Sequence, residues 1–158
     1  MAIDTHIKFD GVDGESGHKD HKGEIQVITW NWRVSNPSAP FGGGSGQGKG
    51  DPGHFTFEHN YDKASPVLAK RCADGKHFAT VTLTARKSGE GQKDFLKVTL
   101  KEAFITSTNP NGGMNGEIRE MVTMTYGDIE FDYKPQDKEG GLGGSVKFGW
   151  DVKASDFR

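Results

Sequence analysis

The sequence is short of the features that would assign it to several large classes. It has a single cysteine, Cys72, so no internal disulfide can brace it. No apolar run approaches the roughly 20 residues that a membrane-spanning helix needs. The opening MAIDTHIKFD lacks a basic stretch followed by an apolar one, so no Sec-type leader is visible. Charge is nearly balanced, 20 Lys and Arg against 22 Asp and Glu for a net −2, which disfavours a globally basic nucleic-acid binder. Apolar residues make up only 32%, and adding the 23 glycines of 158 residues brings the figure to about 47%, within the globular range. There is no CxxC pair, no Ser/His/Asp grouping with a recognisable elbow and no pair of catalytic carboxylates, and the six histidines are scattered along the chain. These absences favour assembly or binding over catalysis, with no cofactor. They imply a soluble protein made in the cytoplasm that would leave the cell only by a route that reads folded protein. At this length one domain, residues 1–158, is expected.

What the sequence does have is strands. The longest strand-like run in the first half is Gly23–Val34, GEIQVITWNWRV, closed by the turn cluster Ser35-Asn36-Pro37. Ile28, Trp30, Trp32 and Val34 form one apolar row, and Thr29, Asn31 and Arg33 a polar row opposite. Ile25 and Val27 fall on the polar side, so the pattern switches near Val27-Ile28 and predicts a bulge there or burial of both faces. Trp30 and Trp32 are assigned to the core. The polar row must face water, a lumen or a partner.

Around this run, Ile3, Thr5, Ile7 and Phe9 alternate with polar residues as a first strand. Gly11–Lys22 reads as a solvated polar loop. Its acids do not fit a calcium loop, and His18 and His21 lack a third ligand for a metal. Ser35–His54 holds seven glycines and three prolines, a length of loop that compact domains rarely carry without a use. Gly43–Lys49 fits G-x-x-x-x-G-K, but Gly50 stands where Ser or Thr is required and Asp51-Pro52-Gly53 forbids an immediate helix, so nucleotide binding is rejected. Phe55 and Phe57 mark a short strand. One helix follows, with Ser65 as N-cap and Pro66 at the first helical position, or with a start a turn earlier at Asp62, with Val67, Leu68 and Cys72 as its buried stripe and Gly75 as its stop. From His77 onward the pattern is all strand. Ala79, Val81, Leu83 and Ala85 form one buried row, an irregularity is expected at Glu102-Ala103, a turn at Asn109–Gly113 and a break at Gly127-Asp128. Val146, Phe148, Trp150 and Val152 close the sheet, and Lys153–Arg158 is expected to be less ordered. The fold class is mainly β, an antiparallel barrel or sandwich with the helix at one end or side.

Several segments, in this order and spacing, resemble the haemolysin-coregulated proteins (Hcp), tube subunits of type VI secretion systems. They are Ile7-Lys8-Phe9-Asp10-Gly11-Val12-Asp13-Gly14-Glu15-Ser16, His21-Lys22-Gly23-Glu24-Ile25, Trp30-Asn31-Trp32, the long Gly-rich loop, the Ser65-Pro66 helix start, Gly75-Lys76-His77 and Gly149-Trp150-Asp151-Val152-Lys153. The resemblance covers nearly the whole chain. It implies an antiparallel β-barrel with one side α-helix and a long extended loop. It further implies a homohexamer whose rings stack into a tube, propelled by a contractile sheath, tipped by a VgrG spike, carrying or chaperoning small effector proteins in the lumen and secreted without a signal peptide. Some relatives carry a fused toxin. Here the sequence stops at Arg158 directly after the closing strand, so none is expected.

On that resemblance, Thr29, Asn31 and Arg33 are expected to face the lumen. Family members often have Ser between the tryptophans and Gly after them, so Asn31 and Arg33 depart from the pattern, and a ring of Arg33 side chains would make the lumen more basic. The arm Pro40–Asp51, with Phe41, Gly44, Gln47 and Lys49, is expected to contact the adjacent ring. The competing readings are a monomeric β-sandwich that binds a glycan or peptide, a lipocalin-type barrel with an apolar cavity, and an enzyme.

Overall fold

The computed structural model describes residues 2–37, 49–89 and 91–158. Its frame is one antiparallel sheet that closes on itself. The elements are β1 (Ile3–Phe9), β2 (Ile25–Asn31), β3 (Val34–Ser35), β4 (Asp51–Pro52), β5 (Phe55–Asn60), α1 (Ser65–Asp74), β6 (Phe78–Lys87), β7 (Asp94–Gly112), β8 (Ile118–Thr125), β9 (Asp128–Tyr133), β10 (Val146–Asp151) and β11 (Asp156–Phe157). The order β7-β6-β1-β2-β5-β8 is completed by pairing of β8 with β7, giving a six-stranded barrel. The barrel fold implied by the resemblance is the one found.

Closure depends on β7 serving two partners along its 19 residues. Leu96–Lys101 pairs with β9, which carries β10 and β11 outward as a side sheet, and Phe104–Gly112 pairs with β8. The change of partner falls at the expected irregularity. Glu102 sits at φ +50°, and the Gly127 N–H, between β8 and β9, donates to Lys101 O at 3.0 Å. The turn expected at Asn109–Gly113 lies further on. Pro110 stays within the strand because, among the described residues, this half of β7 pairs with β8 alone, leaving its other edge open to a residue without an N–H.

Inside the barrel, Ile7, Phe9, Ile25, Val27, Phe55, Phe57, Leu83, Leu100, Val122 and Met124 form one core with the helix residue Leu68. The bulge predicted in the second strand is present. Pairing passes from Val27↔His59 to Thr29↔Glu58, leaving Ile28 as the extra residue. Ile28 is therefore exposed and not part of an apolar row, and the strand ends at Asn31, so Val34 lies exposed in the separate β3–β4 pair. The Gly53 N–H donates to Arg33 O at 2.7 Å, and a Cβ on Gly53 would lie 2.6 Å from that oxygen, so the close approach requires glycine.

Four further expectations change. Ala64, not Ser65, is the helix N-cap. Asp62 Oδ1 instead accepts from the Ala64 N–H at 2.9 Å, and Ser65 Oγ accepts from the Asp62 N–H at 3.1 Å. Val67 is exposed, because the helix lays Ala64, Ser65 and Leu68 on the barrel and turns Val67 away, with Cys72 half-buried against the core. Phe78, not Ala79, points inward. It packs edge-on to Phe9 at 5.0 Å under the Arg71 guanidinium, where the kink opposite at Glu102-Ala103 breaks the alternation. The last residues are tied down. Arg158 exchanges backbone hydrogen bonds with Gly149, and its guanidinium forks onto Asp128 at 2.7 and 2.8 Å and reaches Glu130.

Candidate functional site: the outer polar wall

Strands β2, β5, β8 and β7 present their outer side chains as a continuous polar wall. Cross-strand register fixes its rows. Thr29 pairs with Glu58, Glu58 with Met121 and Met121 with Asn109. One pleat further, Asn31 pairs with Thr56, Thr56 with Thr123 and Thr123 with Ser107. Asn60, Arg119 and Asn111 form a third row. All these side chains are exposed or half-exposed, while their strand neighbours Phe55, Phe57, Val122 and Met124 fill the barrel. The wall is built mostly from hydroxyls and amides, with the exposed Met121 side chain among them. Its charges are Glu58 and Arg119, 3.4 Å apart, with Glu117 beside Arg119.

Thr29 and Asn31 stand on this wall, and Arg33 is exposed just beyond the end of β2. Behind them the tryptophans are half-buried against the core. Trp30 stacks on Phe55 with centroids 5.7 Å apart. Trp32 lies 4.8 Å from Phe131 of the side sheet, and its Nε1–H donates to the Tyr126 hydroxyl at 2.6 Å. That hydroxyl donates in turn to Gly53 O at 2.7 Å. Burial raises the Tyr126 pKa, partly opposed by the Trp32 hydrogen bond. The relay joins the end of β2 to the side sheet and to β4, so the backbone that presents Asn31 and Arg33 is held from behind.

Lys49 is exposed at the base of the arm. Phe41, Gly44 and Gln47 lie outside the described residues. Lys49 leads into β4, not a helix, which removes the structural context a phosphate-binding loop needs. Sequence reasoning missed Thr56, Ser107, Asn109 and Thr123. The alternation in β5 exposed Thr56, but only the register of β7 against β8 brings the others beside it.

A second cluster was not anticipated. The Gly11–Lys22 segment is not a solvated loop, since Val12, Gly14 and His21 are buried. Nor are the histidines all scattered. The ring of His6 stacks on that of His21 at 4.7 Å, with His18 within 5.7 Å of both. Among the described residues no group of three His, Cys, Asp or Glu side chains is arranged to hold a metal.

With this geometry in view, residues 6–133 match the family described as Type VI secretion system effector, Hcp. The sequence is 41% identical to Protein hcp1 of Pseudomonas aeruginosa over 97% of each chain.

The chain belongs to the Hcp family of type VI secretion proteins.

Solved structures agree. Hcp1 from Salmonella typhimurium superposes with a TM-score of 0.83 at 34% identity, covering all of both chains. A structure described as a type six secretion system protein superposes at 0.93 and 28% identity, over 99% of this chain and 100% of its own. In this Hcp-family chain no helix is long and apolar enough to cross a membrane, among the described residues.

Proposed function

We propose that this Hcp-family chain is a structural subunit of the type VI secretion tube. It closes into hexameric rings, stacks them, and turns the wall of β2, β5, β8 and β7 toward the lumen, where small effector proteins are carried. The sheath and the VgrG spike are its partners in secretion without a signal peptide. It is not an enzyme. The observation that carries this reading is the wall itself. A barrel already closed on its core has a broad second face whose rows hold mostly hydroxyls and amides, with Met121 and the charges of Glu58, Arg119 and the adjoining Glu117 among them, in place of the dense charge typical of a freely solvated surface. A lumen that must hold and release cargo needs such a face. Thr29, Asn31 and Arg33 contact cargo, and the arm with Phe41, Gly44, Gln47 and Lys49 contacts the next ring.

Light scattering on the purified protein, with negative-stain images of the same fraction, tests the assembly. A mass six times the 17.2 kDa chain, with open rings, is expected. A stable monomer at micromolar concentration overturns it and returns the wall to a glycan- or peptide-binding reading. Deleting the arm should leave single rings intact and impair tube growth, and loss of the rings themselves contradicts its assigned role.

A further inference from the structure

The loop between β1 and β2 folds back over the outer face of β1 and β6 and is fastened there by ionisable groups. Its own backbone is compact. The Gly14 N–H donates to Gly23 O at 2.7 Å, Ser16 N–H to Glu24 O at 2.9 Å and Gly23 N–H to Ser16 O at 2.9 Å. The fastening is at Arg86 of β6, only 7% exposed. Its Nε donates to Asp94 Oδ1 and its Nη1 to Asp20 Oδ2, both at 2.8 Å. His21, 6% exposed, places Nδ1 at 2.8 Å from Glu24 Oε2. Its Nε2 lies between Asp94 Oδ1 at 3.1 Å and Arg86 Nη2 at 3.2 Å. That nitrogen has one acceptor and one donor beside it. Unprotonated, it accepts from Arg86; protonated, it donates to Asp94 and sets its hydrogen against the guanidinium.

His6 of β1 lies beneath, 3% exposed and stacked on His21 with the rings 10° apart. Unlike His21, it has no carboxylate within hydrogen-bonding distance among the described residues. Its Nδ1 is unpartnered, as is Thr84 Oγ1 on the residue paired with it across β1 and β6. The groups facing this seam are Asp4 and His6 from β1, His18, Asp20, His21 and Glu24 from the loop and its end, Arg86 from β6 and Asp94 from β7. A proton on His6 would place a cation face to face with His21 and close to Arg86, on a side chain only 3% exposed.

We propose that His6, His18, His21 and Arg86 form an acid-operated latch, which on acidification releases the Gly11–Gly23 loop from the outer face of β1 and β6 while the barrel stays closed. Burial first, then the neighbouring His21 and His18, lower the His6 pKa from 6.5 to about 4 in the closed state. Release hydrates the ring and restores its ordinary affinity for protons. The open state therefore binds the proton more tightly, closed-state stability is full above about pH 6.5, and it is lost as pH falls toward 4. Opening also lets His6 Nδ1 and Thr84 Oγ1 reach water.

Amide hydrogen exchange on the whole protein tests this, with rates corrected for the intrinsic effect of pH. Between about pH 7 and 4.5, protection of the Gly14, Ser16 and Gly23 amides should fall roughly ten-fold or more relative to β6 amides. His6→Asn, which keeps a planar polar group, smaller than the imidazole, but cannot titrate, should flatten that loss. Loop protection that tracks β6 across the range, or an equal fall in His6→Asn, overturns the latch. If that variant does not fold, the wild-type His6 ring is followed by NMR. Titration well below 6.5, ending as loop signals broaden, supports the latch; titration near 6.5 with the loop still protected overturns it.

Discussion

His59 and Glu120 stand opposite each other across β5 and β8, both fully buried, with Nε2 and Oε1 2.8 Å apart. Each faces the barrel because strand parity puts it there, in step with Phe57 and Val122. A buried polar pair is costly to split and of little value against an apolar replacement. His59→Ala alone should therefore cost about 3–5 kcal/mol, read from the shift in denaturant midpoint. The double change to apolar residues of similar size should recover most of it. The Tyr126 hydroxyl is a milder case. Tyr126→Phe strands the Trp32 Nε1–H and Gly53 O and should cost about 1–3 kcal/mol at constant m-value. The alternation that marks Phe55 and Phe57 as strand residues runs on in the structure to put His59 inward as well. What it could not show was Glu120 opposite, since the partner comes from a strand 61 residues away. The same limit hid the contact of His6 with His21, which looks in sequence like a chance repetition in a polar stretch.

At the scale of elements, sequence reading succeeded wherever a local rule decided the outcome. The Gly75 stop is such a case, with the glycine at φ +73°. So is the bulge at Ile28, where a period-2 pattern changes phase and the extra residue must lie between the two phases. It failed where two elements compete for a residue. Helical spacing allows Val67 and Leu68 to share a buried stripe, but a helix lying across a barrel buries a narrower strip, and only Leu68 falls in it. The two variants separate these readings. Leu68→Ala should destabilise by about 2–5 kcal/mol through the cavity left in the core, whereas Val67→Ala should stay within about 0.5 kcal/mol, both by thermal or denaturant unfolding. The β1–β2 loop was misread for a related reason. Its polar composition suggested solvent, yet a Cβ on Gly14 would lie 2.5 Å from Glu24 O, a contact that no exposed loop requires. Gly14→Ala should thus loosen the loop and cost about 1–3 kcal/mol.

At the scale of the whole molecule, barrel and wall divide the labour between opposite faces of the same strands. β5 shows the division most plainly, with Phe55, Phe57 and His59 inward and Thr56, Glu58 and Asn60 outward. The barrel was legible because period-2 alternation reports which residues leave water. The wall was only half legible, because alternation gives an outward face to each strand but not the order in which strands lie side by side. Thr56 and Thr123 meet, Oγ1 to Oγ1 at 3.4 Å, only because β5 pairs β8 in one register. This division makes a prediction that separates folding from cargo handling. Thr123→Lys changes an outward, half-exposed side chain and leaves Val122 and Met124 in place. Stability should therefore stay within about 0.5 kcal/mol of wild type. If the wall faces a lumen, the same change adds a cation to each subunit around one channel, where like charges act together and cargo of matching sign is repelled. The expected result is an unchanged ring mass by light scattering and an altered set of co-purifying small proteins, with cationic ones lost first at low salt. An unchanged cargo set from both Thr123→Lys and Asn31→Lys would detach the wall from cargo handling while leaving the barrel and its family untouched.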